Sequence, residues 1–245
     1  MISHEKKIVF VHIPKTGGKT FSKFLEPYCD EESLKKFSPF HRAGHLHASW
    51  GEYVDYYGDA IKNYTLVSIV RNPWDKAVSL ACHQSTLSFK EAGISIPDDW
   101  KATENWKKKF NSVITIPEKM HLWPHSHFNF WIGHTEYLEN KARNFRYLRW
   151  PAVQNTQQWQ ATLNVLRYPN KILYFENYTH DVSKFFEHHN IKFDRADVER
   201  KTNTSLHKHY SYYYDDAKHI QTISDVCGLD NQAFQYHFHE KGEQK

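Results

Sequence analysis

The stretch IVFVHIPKTGGKTFSKFL, residues 8–25, carries the pattern that decides the fold. It opens with β-branched and apolar residues, which predict a buried strand over Lys7–Ile13. Pro14 interrupts this run, two glycines follow, and a helix is predicted from Lys19 to about Glu26. A strand, a glycine turn and a helix start in this order favour an anion site. Backbone amides at the helix start face such a ligand, and the helix dipole attracts its negative charge.

The residues of the turn are the candidates for contacting the anion. Gly17 and Gly18 let phosphate oxygens approach the backbone without meeting a Cβ atom. A lysine adds a point charge and a threonine adds a hydroxyl group. The candidate binding set is Lys15, Thr16, Gly17, Gly18, Lys19 and Thr20.

Two more apolar runs predict further buried strands, at Tyr64–Val70 and Lys171–Phe175. Each is followed by a helical pattern. The first begins at Asn72 and Pro73, which suit a helix cap and a first turn, and the second covers residues 177–190. Strands that alternate with helices in this way predict an α/β fold with a mainly parallel central sheet flanked by helices.

The chain of 245 residues suits one domain, because no linker rich in Gly, Ser or Pro divides it. The segment at about residues 88–117 departs from the alternation of apolar strands and helices. Its polar, Lys- and Trp-rich composition suggests an insertion over the sheet edge. The lysines at 107–109 are more typical of a solvated face than of a site. We therefore predict a single domain over 1–245 with an insertion at about 88–117.

Composition narrows the possible partners and locations. The formal net charge of +4 suits an anionic ligand but does not by itself indicate nucleic acid. No apolar run approaches the roughly 18 residues of a membrane span, and the short run at the start lacks the features of a secretion signal. Three widely spaced cysteines form no paired framework, which favours reduced thiols. We expect a cytoplasmic protein.

One rival interpretation is a kinase-like P-loop protein that uses a nucleoside triphosphate and magnesium. The letters GKT at 18–20 match the end of the P-loop pattern, which then requires glycine at position 13. That position is Ile13, and the second strand is followed by Arg71 where a magnesium-binding aspartate is expected. The match to the pattern is therefore partial.

Two motifs closely resemble those of sulfotransferases that use 3′-phosphoadenosine 5′-phosphosulfate (PAPS). HIPKTGGKTF, residues 12–21, resembles their loop for the 5′-phosphosulfate. VSIVRNPWDKAVS, residues 67–79, resembles their motif for the 3′-phosphate, in which Arg71 ends a strand and Ser79 lies eight residues later. The resemblance implies a P-loop-like three-layer sandwich with PAPS as cosubstrate, residues 15–20 at its 5′ side, and Arg71 with Ser79 at its 3′-phosphate. One departure is Lys19, where the family usually has a small hydroxyl residue.

The closest similarity is to the carbohydrate type, the heparan sulfate 2-O- and 6-O-sulfotransferases and their bacterial relatives. GHLHASW, residues 44–50, resembles the segment with the catalytic histidine, and residues 203–216 and 229–238 resemble the C-terminal part of bacterial members. The acceptor hydroxyl must lose a proton, and a histidine serves as such a base near neutral pH. The resemblance favours His47 as the base and His45 second, although a packing role stays open for each. Lys15 is expected beside the departing phosphate.

The remaining inferences concern the metal and the acceptor. Four His-X-His pairs occur, but no Cys or carboxylate lies at a familiar ligand spacing, so no metal site is predicted. The expected acceptor is a hydroxyl on an oligo- or polysaccharide, with no nucleic acid as partner. The tryptophans at 100, 106, 123 and 131 would suit sugar rings if their faces are exposed, but a core position is at least as plausible for each. A non-enzymatic protein that binds a nucleotide or an anionic polymer is the second alternative.

Overall fold

The structure is a computed structural model of the chain. It describes residues 1–37, 48, 50–91, 100–114, 171–200, 208–227, 230–231 and 234–239. These residues fall into two compact units, one formed by Met1–Val70 with residues 171–200 and the other by residues 71–114 with residues 208–239. The prediction of a single domain over 1–245 stays a prediction.

A sheet organises the first unit. Its strands within the described residues, in spatial order, are β1 (Ile2–Ser3), β2 (Ile8–Val11), β3 (Thr65–Val70) and β4 (Lys171–Tyr174). The short β1 pairs with β2 in antiparallel fashion, whereas β2–β3 and β3–β4 are parallel pairs. The structure therefore confirms the α/β class and a mostly parallel sheet.

Helices follow three of these strands in sequence, as the alternating pattern predicts. In chain order, the helices of the described residues are α1 (Gly18–Leu25), α2 (Glu31–Phe37), α3 (Trp50–Tyr57), α4 (Pro73–Glu91), α5 (Glu104–Ile114), α6 (Tyr178–His188), α7 (Arg195–Arg200) and α8 (Ala217–Val226). In the part of the chain that the structure describes, none of them has both the length and the apolar character needed to cross a membrane.

The core of the first unit forms where α1 and α6 bring aromatic side chains together. Phe21 and Leu25 are four residues apart on α1, so they share one face, and both are fully buried. Val182, Phe185 and Phe186 form the matching face of α6. The Phe21 ring lies 4.9 Å from the Phe186 ring between centroids. Burying each such side chain stabilises the fold by roughly 1.5–3 kcal/mol.

The second unit has its own core. Trp74 and Val78 of α4 lie on one face, and they share an apolar cluster with Trp106 and Phe110 of α5 and with Ile223 of α8. Trp106 is only 5% exposed, so its core interpretation is confirmed and it does not offer a face to a sugar. Part of the predicted insertion, residues 100–114, thus contributes to a hydrophobic core. Positions 123 and 131 lie outside the described residues.

The sheet topology places the candidate binding turn at one edge of the first unit. Because β2, β3 and β4 are parallel, their carboxyl ends lie at the same edge, where open α/β sheets bind ligands. The chain leaves β2 through residues 12–17 and leaves β4 through a short 3₁₀ turn at Phe175–Asn177. It leaves β3 at Arg71.

Candidate functional site

The turn after β2 has an unusual backbone. Lys15 has φ 66° and Gly17 has φ 83°, so both lie in the left-handed region. This conformation is natural for glycine but uncommon for lysine, and such strain tends to occur at functional sites. Gly17 is the N-cap of α1, so the cap residue has no side chain to bond the first amides, and the first turn of the helix holds no acidic residue. The positive end of the α1 dipole is therefore not neutralised by its own first turn.

Both glycines lie against side chains of their own unit. A Cβ atom at Gly18 would lie 2.1 Å from Cδ2 and 2.4 Å from Nε2 of His12. A Cβ atom at Gly17 would lie 2.8 Å from Cε2 of Tyr178 and 3.2 Å from Cε2 of Phe175. The bare backbone thus has a packing role that the sequence does not reveal, in addition to the approach of a ligand that the sequence predicts.

The hydroxyl groups of the two threonines point into the protein. The Thr16 Oγ1 donates a hydrogen bond to the Ile13 carbonyl at 2.9 Å, and the residue is fully buried. Thr20 is 1% exposed, and its side chain hydrogen-bonds to the Tyr178 hydroxyl. Lys19, in contrast, is exposed. These contacts shape the turn, so main-chain amides and Lys15 are its main groups for an anion.

Tyr178 joins the turn to the start of α6. Its hydroxyl donates a hydrogen bond to the Gly17 carbonyl at 2.8 Å. Burial raises the pKa of this phenol well above its ordinary value, although hydrogen bonds from the Thr20 side chain and the Phe21 backbone oppose the shift. Tyr178 is therefore neutral at physiological pH and remains a hydrogen-bond donor.

In the second unit, Arg71 lies just before α4 and is only 7% exposed. Its Nε donates a hydrogen bond to Oδ2 of Asp75 at 2.8 Å, which forms an ion pair. Asp75 and Ser79 are four residues apart on α4 and so lie on the same helix face. Ser79 is 6% exposed. A buried guanidinium with a hydroxyl on the adjacent helix face suits a phosphate group.

The start of α4 confirms the predicted helix signal. Pro73 is the first helical residue, and Oδ1 of Asn72 accepts hydrogen bonds from the backbone amides of Trp74 and Asp75 at 3.1 and 3.3 Å. This cap fixes where the helix begins. It therefore also fixes the position of Arg71 relative to the face that carries Ser79.

The structure does not test the predicted catalytic histidines. His45 and His47 lie outside the described residues, so their roles stay predictions. Within the described ranges, no group of three or more His, Cys, Asp or Glu side chains is placed to hold a metal ion. The prediction of a site without a metal is left untested by that finding.

Sequence reasoning missed three residues that contact the candidate binding residues. They are His12 beneath Gly18, Tyr178 on Gly17, and Asp75 on Arg71. The spacing of four residues between Arg71 and Asp75, with their opposite charges, could have predicted this ion pair. Tyr178 lies 161 residues from Gly17 in sequence, and only its position just after a strand pointed to the sheet edge.

The first unit has a strand, a left-handed glycine turn and a helix start at the carboxyl edge of a parallel sheet. These features define an α/β protein with a turn of the kind that suits an anion. The comparison with family models makes the class specific. The model described as the sulfotransferase family matches residues 1–245, so the chain belongs to that family. Membership supports sulfuryl transfer as the general reaction. Searches of curated proteins and of solved structures returned no significant match.

Proposed function

We propose that this sulfotransferase moves a sulfuryl group from PAPS to a hydroxyl group of a carbohydrate. The observation that carries the proposal is the turn at residues 15–20. Left-handed Lys15 and Gly17 lead into a helix start whose N-cap residue, a glycine, has no capping side chain, and Gly18 begins α1. The turn thus offers backbone donors and a helix dipole to an anion, which is what the 5′ side of PAPS requires.

The second part of the proposal concerns the 3′-phosphate of the same cosubstrate. We assign it to Arg71 and Ser79, because this pair matches the family motif in the sequence. The Arg71 Nε donates a hydrogen bond to Asp75, which fixes the plane of the guanidinium group. The terminal nitrogens of a planar guanidinium suit two phosphate oxygens at once.

The proposed reaction is an in-line transfer. The bond from sulfur to the bridging phosphate oxygen breaks while the bond from sulfur to the acceptor oxygen forms. His47 takes the acceptor proton, and the negative charge that develops on the departing phosphate lies beside Lys15. We assign both roles from the resemblance to the family. No metal ion is needed to balance this step.

The proposed acceptor is an oligo- or polysaccharide, since the segment around His47 resembles that of the heparan sulfate 2-O- and 6-O-sulfotransferases. A P-loop-like scaffold and a cytoplasmic location belong to the same proposal. Trp106 no longer supports sugar stacking, because it is buried in the core of its unit.

The test is a screen with labelled PAPS in EDTA over polysaccharides, oligosaccharides, phenols and alcohols. We expect label transfer to a carbohydrate without ATP or magnesium. His47→Ala should lower turnover by about 100-fold or more and leave the affinity for adenosine 3′,5′-bisphosphate unchanged. The exposed His180 offers a matched control, and His180→Ala should retain full activity.

Two results would contradict the proposal in different ways. Phosphoryl transfer from ATP that depends on magnesium, without PAPS turnover, would favour the kinase alternative. Binding of the bisphosphate with no transfer to any acceptor, and no effect of His47→Ala, would favour a non-catalytic binding protein.

A further inference from the structure

We infer that Tyr178 is a positioning residue that holds the turn at Gly17 in the shape that binds the 5′ side of PAPS. The inference rests on the proposed function and deepens it. It adds a residue 161 positions from Gly17 in sequence, which touches the turn but belongs to neither cofactor motif.

The contact with Gly17 sets the direction of an anion donor. The Tyr178 hydroxyl donates to the Gly17 carbonyl at 2.8 Å. Because a trans peptide is planar, its N–H points opposite to its C=O, so a fixed Gly17 carbonyl also fixes the Gly18 N–H. The Gly18 N–H is the first amide of α1 and one of the donors that an intrahelical bond does not use.

The aromatic ring supports the same peptide by close packing. The Tyr178 Cε2 would lie 2.8 Å from a Cβ atom at Gly17, and Cε2 of Phe175 would lie 3.2 Å from it. Tyr178 is 1% exposed, and its ring packs edge-on against Phe175 at 6.0 Å between centroids. The left-handed Gly17 is therefore held by a hydroxyl on its carbonyl and by two rings on its α-carbon.

The same hydroxyl also reaches the far side of the turn. The Thr20 side chain and the Phe21 backbone both hydrogen-bond to it. One phenol thus connects the residue before α1 with residues in the first turn of α1. Its loss would remove the hydrogen bond on the Gly17 carbonyl and the contacts with Thr20 and Phe21 at once.

The position of Tyr178 in the fold explains how it reaches the turn. Strand β4 ends at Tyr174, and the 3₁₀ turn Phe175–Asn177 carries the chain to the first residue of α6. The carboxyl ends of β2 and β4 lie at the same edge of the parallel sheet. The residue that starts α6 therefore lies beside the residue that caps α1.

The experiment compares Tyr178→Phe with the matched control Tyr28→Phe. Tyr28 also uses its hydroxyl in one bond within the same unit, accepting from the Lys192 amide at 2.9 Å. Calorimetric titration with adenosine 3′,5′-bisphosphate gives affinity, steady-state kinetics gives KM and kcat, and thermal unfolding gives stability. We expect Tyr178→Phe to weaken bisphosphate binding and to raise the KM for PAPS by about tenfold, with the acceptor KM unchanged. Tyr28→Phe should change neither quantity.

The outcomes separate the inference from the proposed function. If the parent binds the bisphosphate and Tyr178→Phe binds it equally well, the positioning role is wrong and the proposed function stands. A lower unfolding temperature with unchanged affinity and KM would also overturn the role, because it reports packing alone. If the parent binds no bisphosphate, both fail. Should Tyr178→Phe not fold, Phe175→Leu keeps the phenol and loosens its ring contact, and it should weaken binding by about threefold. Unchanged binding in that variant would overturn the inference.

Discussion

Gly18→Ala tests the packing of the candidate binding turn most severely, because the new methyl group would meet a ring that cannot easily move. The Cβ atom would lie 2.1 Å from Cδ2 of His12, whereas ordinary contact begins at 3.4 Å, so the ring must shift by about 1.3 Å. His12 is 4% exposed and its ring stacks on Phe10, with 5.6 Å between centroids and an interplanar angle of 18°. Core overpacking of this kind costs about 1–3 kcal/mol of unfolding free energy.

Part of this cost is offset by helix propensity. Alanine favours a helix over glycine by about 1 kcal/mol in the helix interior, and by less at the first position of α1. We therefore expect Gly18→Ala to lower the free energy of unfolding by about 1–2 kcal/mol. The same shift should displace the turn and weaken adenosine 3′,5′-bisphosphate binding.

A double-mutant cycle with His12→Ala isolates the clash. Urea denaturation of the parent, Gly18→Ala, His12→Ala and the double variant gives a coupling free energy, which we expect to be about 1–2 kcal/mol. In the His12→Ala background, Gly18→Ala should leave the free energy of unfolding almost unchanged, because the new methyl group no longer meets the imidazole ring. An equal cost in both backgrounds, or a change below about 0.5 kcal/mol in the parent, would refute the proposed contact.

The remaining predictions concern the other anion site, the second glycine and a histidine. Arg71→Lys should weaken bisphosphate binding by about tenfold in calorimetry, because an ammonium group cannot bind a carboxylate and a phosphate in fixed geometry. Exposed Arg195→Lys is the control, and equal affinities of Arg71→Lys and the parent would contradict the assignment. Gly17→Ala should lower the thermal midpoint more than Gly58→Ala, since both glycines have positive φ but only Gly58 has open space around its Cβ position. Burial lowers the pKa of His189, so its contribution to stability is complete above pH 6.5 and is lost as the pH falls below that value. His189→Gln should flatten the fall of the denaturation midpoint below about pH 6.5, and an unchanged slope would contradict this.

The sequence allowed the sheet to be predicted well, and the reason is physical. Strands β2 and β3 are buried on both faces, so their sequences are nearly continuous apolar runs that no amphipathic helix would show. The helix starts were also predictable, because the fixed φ of Pro73 suits a first helical turn and because paired glycines after a strand mark a tight turn. The two-residue β1 was not predicted, since so short a strand has no periodic pattern.

Residues of the candidate site were predictable only where they adjoin a strand or helix that the local sequence itself predicts. The glycine turn and Arg71 stand next to strand ends, so their positions followed from the strand pattern. The contact of Tyr178 with the turn depends on a pairing of distant strands, which no local window contains. Trp106 was ambiguous for a related reason: the lysines around it mask the buried i, i+4 pair that it forms with Phe110.

The central proposal is that the turn at residues 15–20 and the pair Arg71 and Ser79 bind opposite ends of one cosubstrate. The most direct measurement is a crystal structure of the protein with adenosine 3′,5′-bisphosphate. The account predicts that the 5′-phosphate accepts hydrogen bonds from backbone amides between Gly17 and Thr20, and that the 3′-phosphate contacts Arg71 and Ser79. A bisphosphate bound elsewhere, with both of these places unchanged from the ligand-free protein, would contradict it.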